Sequence, residues 1–93
     1  MESQIKYELE TELSAPTGGV LSAILVTVEI EPKDSGCLIY GTLRDGNIGH
    51  IEVRGPKADV ELPFAHPKIY VKYLKGLTNI RISTRGWKDS VRG

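Results

Sequence analysis

A thiol beside an imidazole makes a nucleophile and its base, and Cys37 with His50 is the one such pairing this chain offers. The two flank Asp45-Gly46, so a hairpin turning there would bring them to neighbouring strands. Cys37, however, opens the apolar run Cys37-Leu38-Ile39-Tyr40, where a thiol stays protonated and inert. The favoured reading is a core cysteine and a surface histidine. His66 is in another segment, and no CxxC, HxxxH or HExxH spacing occurs, so no metal site and no cofactor is expected. Asp59 and Glu61 lie two residues apart on one strand face, a spacing that suits paired carboxylates. Nothing accompanies them, and a solvated face explains them as well. The glycines form neither a phosphate-binding loop nor a dinucleotide fingerprint and fall mainly in turns. The expectation is a protein that is not an enzyme.

Nucleic-acid binding is the other chemistry to weigh. The last third of the chain mixes bases with Tyr70, Tyr73 and Trp87. A small barrel that holds single strands sets aromatic and basic residues on one face. Tyr70 shares a strand face with Lys72, while Tyr73 points the other way with Ile69 and Val71. The chain carries 12 bases and 12 acids, which disfavours a polyanion as partner. Tyr70, Lys72, Trp87 and Arg92 are kept as a candidate partner-binding set, with nucleic acid not favoured as the partner.

The elements that must position these residues read as strands. Val, Ile, Thr and Tyr are frequent, and Gly, Pro, Asn and Asp cluster about every eight to twelve residues, the spacing of a sandwich or barrel. The first strand is expected over Ile5 to Leu13, with Ile5, Tyr7 and Leu9 alternating with Lys6, Glu8 and Glu10. Val20 to Ile30 is the most apolar run. Val20, Ile24, Val26, Val28 and Ile30 share one face, while Leu21, Ala23 and Leu25 lie on the other. Apolar residues on both faces call for cover on both sides. Further strands are expected over Cys37 to Arg44 and Ile48 to Arg54, joined by the Asp45-Gly46-Asn47 turn. Others run from Ala58 to about Leu62, from Ile69 to Tyr73 and from Ile80 to Arg85. Pro63 and Pro67 lack amide donors and place the Ala58 strand at an edge or end it near Leu62. Gly86 to Gly93 reads as a flexible tail. The fold class is all-β, one antiparallel sandwich of seven to eight strands over residues 1–93, with 1–13 as an N-terminal strand or arm.

At 93 residues a domain leaves much of its surface exposed, and self-association would add burial. Leu21, Ala23 and Leu25 are therefore the candidate oligomer interface. Charge is segregated along the chain. Residues 1–13 hold Glu2, Glu8, Glu10 and Glu12 against Lys6, whereas residues 68–93 hold Lys68, Lys72, Lys75, Arg81, Arg85, Lys88 and Arg92 against Asp89. Two readings stay open: pairing of an acidic with a basic segment inside one subunit, or complementary patches between subunits. The N-terminus lacks the basic and apolar segments of a signal peptide, and Val20 to Ile30 is too short to cross a bilayer. A soluble, cytoplasmically made protein with no membrane partner is expected.

The order of segments carries a resemblance. An apolar strand led by Gly19-Val20-Leu21 precedes Gly41-Thr42-Leu43-Arg44-Asp45-Gly46 and Ile51-Glu52-Val53. Val60-Glu61-Leu62-Pro63-Phe64, Lys68-Ile69-Tyr70-Val71 and Asn79-Ile80-Arg81-Ile82 follow. Over residues 18–84 this resembles the small β-sandwich structural proteins of tailed bacteriophages. It departs from them at Pro67-Lys68, where the family has Gly before the I-Y-V element, and in a shorter hairpin. The resemblance implies a jelly-roll-like sandwich that forms symmetric homo-oligomers, often trimers. It also implies a place in the virion as head decoration, spike or fibre component, with phage capsid or tail proteins as further partners. The alternatives from the residues alone are a small β-domain that binds and inhibits a host protein, and a single-strand nucleic-acid-binding barrel.

Overall fold

The computed structural model of the protein describes residues 7–16 and 21–89. Alternating apolar and polar residues between turn clusters give seven strands and no helix among them. These are β1 (Leu9–Glu12), β2 (Leu21–Glu31), β3 (Gly36–Thr42), β4 (Ile48–Arg54), β5 (Lys57–Leu62), β6 (Lys68–Leu74) and β7 (Asn79–Asp89). Two antiparallel sheets form. Sheet A has the order β1-β6-β3-β4 and sheet B the order β5-β2-β7. The fold is the all-β sandwich expected from the alternation.

The pairing is nested. β3 and β4 form a hairpin in sheet A, β2 pairs with β5 in sheet B, and β1 pairs with β6 in sheet A again. A ribbon of antiparallel pairs thus winds from one sheet to the other, which is the jelly-roll arrangement. β7 then adds to β2 along nearly its whole length.

The core lies between the sheets. Ile24, Val26, Val28 and Ile30 of β2 meet Cys37 and Ile39 of β3, Val53 of β4, and Ile69 and Val71 of β6, all buried. Two of the segments singled out in the sequence meet here. Phe64, fully buried, lies on Gly41, where an added Cβ would stand 2.5 Å from the ring, and the Ala65 amide donates to the Thr42 carbonyl. Only glycine leaves room for that ring. Gly46 adopts φ +90° in the β3–β4 turn, and the Asp45 carboxylate accepts from the Asn47 amide. Gly46 supplies the positive φ, while Asp45 serves through its side chain, and the loop between Thr42 and Ile48 is longer than a two-residue hairpin turn.

Two expectations need correction. The strand placed over Ile5 to Leu13 is shorter, Leu9 to Glu12, within the described residues. Of the tail, Gly86 to Asp89 are not flexible ends but the last four residues of β7. Pairing with β2 from Glu31↔Asn79 to Leu21↔Asp89 carries the strand past Gly86. A glycine that weakens a strand locally is tolerated when a long ladder supports it. Residues 90–93 lie outside the described residues.

Candidate binding surface

Cys37 and His50 do not meet. Cys37 faces the core opposite Val53, while His50 faces outward opposite Tyr40. Burial pushes the Cys37 thiol up to about 11, so it stays protonated at neutral pH. Among the described residues, no three His, Cys, Asp or Glu side chains converge in a way that could hold a metal ion. Near the β2–β3 turn a cleft of about 190 Å³ is lined by Lys33, Asp34, Glu52, Arg54 and Lys75. Its acids and bases are mixed, and Arg54 is already held by Glu52 at 3.0 Å.

The outer face of sheet B is where the interface candidates were expected. β2 departs from simple alternation there. Its pairing with β7 shifts register between Leu21 and Ala23, and again between Leu25 and Val26. One extra residue in a strand reverses the faces beyond it. Leu21 therefore turns into the core and is 1% exposed. Ala23 is also buried, and Leu25 is half-buried opposite Gly86. Leu21 and Ala23 are thus covered by the chain itself and present no surplus apolar face.

The rest of that face is charged and paired. Arg81 reaches Glu29 (4.0 Å), Arg85 reaches Asp59 (3.8 Å), and Lys88 reaches Glu61 (3.3 Å). Asp59 also accepts from the Thr27 hydroxyl at 2.7 Å. The contacts of Arg85 and Lys88 span from β7 to β5 over β2. Arg81, Arg85 and Lys88 of the basic C-terminal segment therefore find acids within one subunit, and Lys68 finds Glu10 in the same way at 2.8 Å. Segregated charge along the chain becomes paired charge across the sheets. Such exposed pairs contribute only about 0.2–1 kcal/mol each.

The outer face of sheet A differs. Register places Tyr40 of β3 directly between His50 of β4 and Tyr70 of β6. The Tyr40 and His50 rings lie 5.1 Å apart. Tyr7, just before β1, sets its ring 5.2 Å from both Tyr40 and Tyr70. The Glu8 carboxylate, accepting from the Tyr73 amide at 2.8 Å, holds this part of the chain against the end of β6. Lys68 sits 5.7 Å from the centre of the Tyr70 ring. Its ammonium is held above the ordinary lysine range, first by the hydrogen bond to Glu10 and then by the charge of that carboxylate. Leu38 and Thr42 flank Tyr40 on the same face, and Ile48, opposite Thr42, is 62% exposed. The result is an aromatic band across sheet A, extended at one side by an exposed isoleucine. Edge-to-face and tilted ring pairs at these distances contribute about 0.5–1.5 kcal/mol each beyond their burial.

Of the candidate partner-binding residues, Tyr70 and Lys72 lie on this face. Trp87 does not: it is 46% exposed near the end of β7, in the other sheet. The candidate set is thus divided between the two sheets, and Arg92 lies outside the described residues. Tyr7, Tyr40 and His50 were missed as members of the site. Tyr40 and His50 do flank the Asp45-Gly46 turn at spacings that a hairpin pairs, and that signal was present in the sequence. Tyr7 carried none, because its place depends on β1 lying beside β6. Neither the family models nor the curated proteins nor the solved structures contain a match to this chain.

Proposed function

We propose that the protein is a non-enzymatic assembly subunit, a structural component of a tailed-bacteriophage virion, that acts as a homo-oligomer through the outer face of sheet A. The observation that carries this reading is the aromatic band Tyr7, Tyr40, Tyr70 and His50, continued by Ile48 at 62% exposure. Partly exposed aromatic side chains beside an exposed aliphatic one are the composition of an interface centre. Covering the exposed part of Ile48 would supply about 1–2 kcal/mol. The virion assignment rests on the order of strand segments described above and on the jelly-roll topology, which suits capsid-type subunits.

The test is the solution mass by light scattering at several concentrations, for the wild type and for Tyr40→Ser/Ile48→Ser. The expected result is a concentration-stable oligomer for the wild type and a smaller species for the variant, with an unchanged β-sheet circular dichroism spectrum. A wild type that is monomeric throughout contradicts the assembly reading.

A further inference from the structure

The outer edge of β7 is the longest unpaired strand edge among the described residues. In sheet B the order ends β2-β7, and no described strand pairs with the far side of β7. In the nested pairing, β1 takes β6, β2 takes β5 and β3 takes β4, and β7 has no counterpart. The other edge strand of sheet B is protected. β5 is flanked by Pro56 and Pro63, and only six residues long. β7 runs for 11 residues without a proline; its ladder with β2 bulges at Arg85 and is regular from Asn79 to Thr84, so that stretch is the part of the edge open to pairing.

The direction of the backbone groups on this edge follows from the hydrogen bonds around it. The Ile30 amide donates to the Pro56 carbonyl, away from β7, and the Thr78 amide donates to the Glu31 carbonyl, towards it. Alternation then aims Thr27, Glu29 and Glu31 at β7, where they face Ser83, Arg81 and Asn79. Ile80, Ile82 and Thr84 must turn their N–H and C=O groups outward. The side chains of Ile80 and Ile82 pack on the core but remain only partly buried.

We propose that this edge pairs antiparallel with the same edge of a second copy, about a two-fold axis at Ile82. The side chains select that register. An axis at Arg81 would set Arg81 against itself. An axis at Ser83 would set Arg81 against Arg85 of the second copy, and like charges directly opposite destabilise a sheet. The axis at Ile82 sets Arg81 opposite Ser83, Ile80 opposite Thr84 and Ile82 opposite Ile82. All three outward-facing residues then exchange hydrogen bonds, and the partly buried isoleucines are covered further. The two three-stranded sheets become one continuous sheet across the pair. This contact rests on the assembly reading only in that both involve copies of the chain; its surface is separate from the aromatic face.

The test uses disulfide trapping in the full chain, where the one native thiol, Cys37, is buried. Arg81 and Ser83 would form a non-hydrogen-bonded pair across the axis, with Cα atoms about 4.5 Å apart, within the range a disulfide spans. Arg81→Cys/Ser83→Cys is expected to give a covalent dimer on mild oxidation. Adding Thr84→Pro, which removes an outward amide from each end of the ladder and leaves the β2 pairing intact, is expected to cut the trapped fraction at least about tenfold, one factor of ten being ~1.4 kcal/mol. Ser83→Cys alone, which keeps both arginines, should remain monomeric, because only an axis at Ser83 would set that residue against itself. No trapped dimer at 81/83, trapping unaffected by Thr84→Pro, or equal trapping of Ser83→Cys alone would each overturn the proposal. Trapping at 81/83 should persist in the Tyr40→Ser/Ile48→Ser background, so loss of the aromatic-face contact and loss of the edge contact are read separately.

Discussion

The two outward faces of this sandwich are built on opposite plans. On sheet B, Arg81, Arg85 and Lys88 each answer an acid on β2 or β5, and the one large aliphatic residue, Leu25, is half covered. On sheet A, three tyrosines and a histidine pack side by side across the strands, with Ile48 open to solvent beside them. A face whose charges are satisfied internally gives a partner little to gain, since breaking its pairs would offset new contacts. A face of aromatic and aliphatic groups gains by being covered. The contrast teaches that charge segregation along a chain says little about subunit contacts until strand order is known. Here Arg81, Arg85 and Lys88 of the basic C-terminal third are paired with acids on β2 and β5 of the same molecule.

The largest expected effect separates core from surface on β2. Leu21→Ala should destabilise the domain by about 2–5 kcal/mol, as for a buried leucine, whereas Leu25→Ala should cost far less. Denaturant titration of both variants checks this. Equal effects would mean that the register shift near Ser22 does not turn Leu21 inward. Next comes Cys37. Its pKa is raised in the fold, so the neutral thiol stabilises the folded state below the unfolded value of 9.0, and this contribution is lost as pH rises towards about 11. Cys37→Val should therefore flatten the fall in stability between pH 9 and 11, measured by thermal melts across that window. On the aromatic face, Tyr7→Ala should lower stability by about 1–3 kcal/mol, since it removes two ring pairs of about 0.5–1.5 kcal/mol each. The smallest effect belongs to the charged face. Arg85→Ala or Lys88→Ala should change stability by at most about 1 kcal/mol, and 0.5 M salt should shrink the difference further.

Much of the fold was legible because alternation is a local signal. The hairpin at Asp45-Gly46, the end of β5 at Leu62 and the inward set Ile69 and Val71 all follow from side-chain period and turn residues. What could not be read depended on partners distant in sequence. Nothing local to β2 announces the extra residue that turns Leu21 inward, because the shift exists only relative to β7. Gly86 reads as the end of a strand until β2 is seen to continue opposite it. The aromatic band draws on β3, β4, β6 and the residue before β1, so its members lie up to about 60 residues apart in the chain. Tyr70 and Lys72 were found as neighbours on one strand, while Trp87 was grouped with them by sequence proximity and lies in the other sheet.

The contrast between the faces is tested most directly by measuring solution mass for two variants in parallel. Tyr40→Ser/Ile48→Ser alters the aromatic face, and Arg85→Ala/Lys88→Ala alters the charged one. The account predicts a lower mass for the first and an unchanged mass for the second. A mass that falls only when the charged face is altered would contradict it.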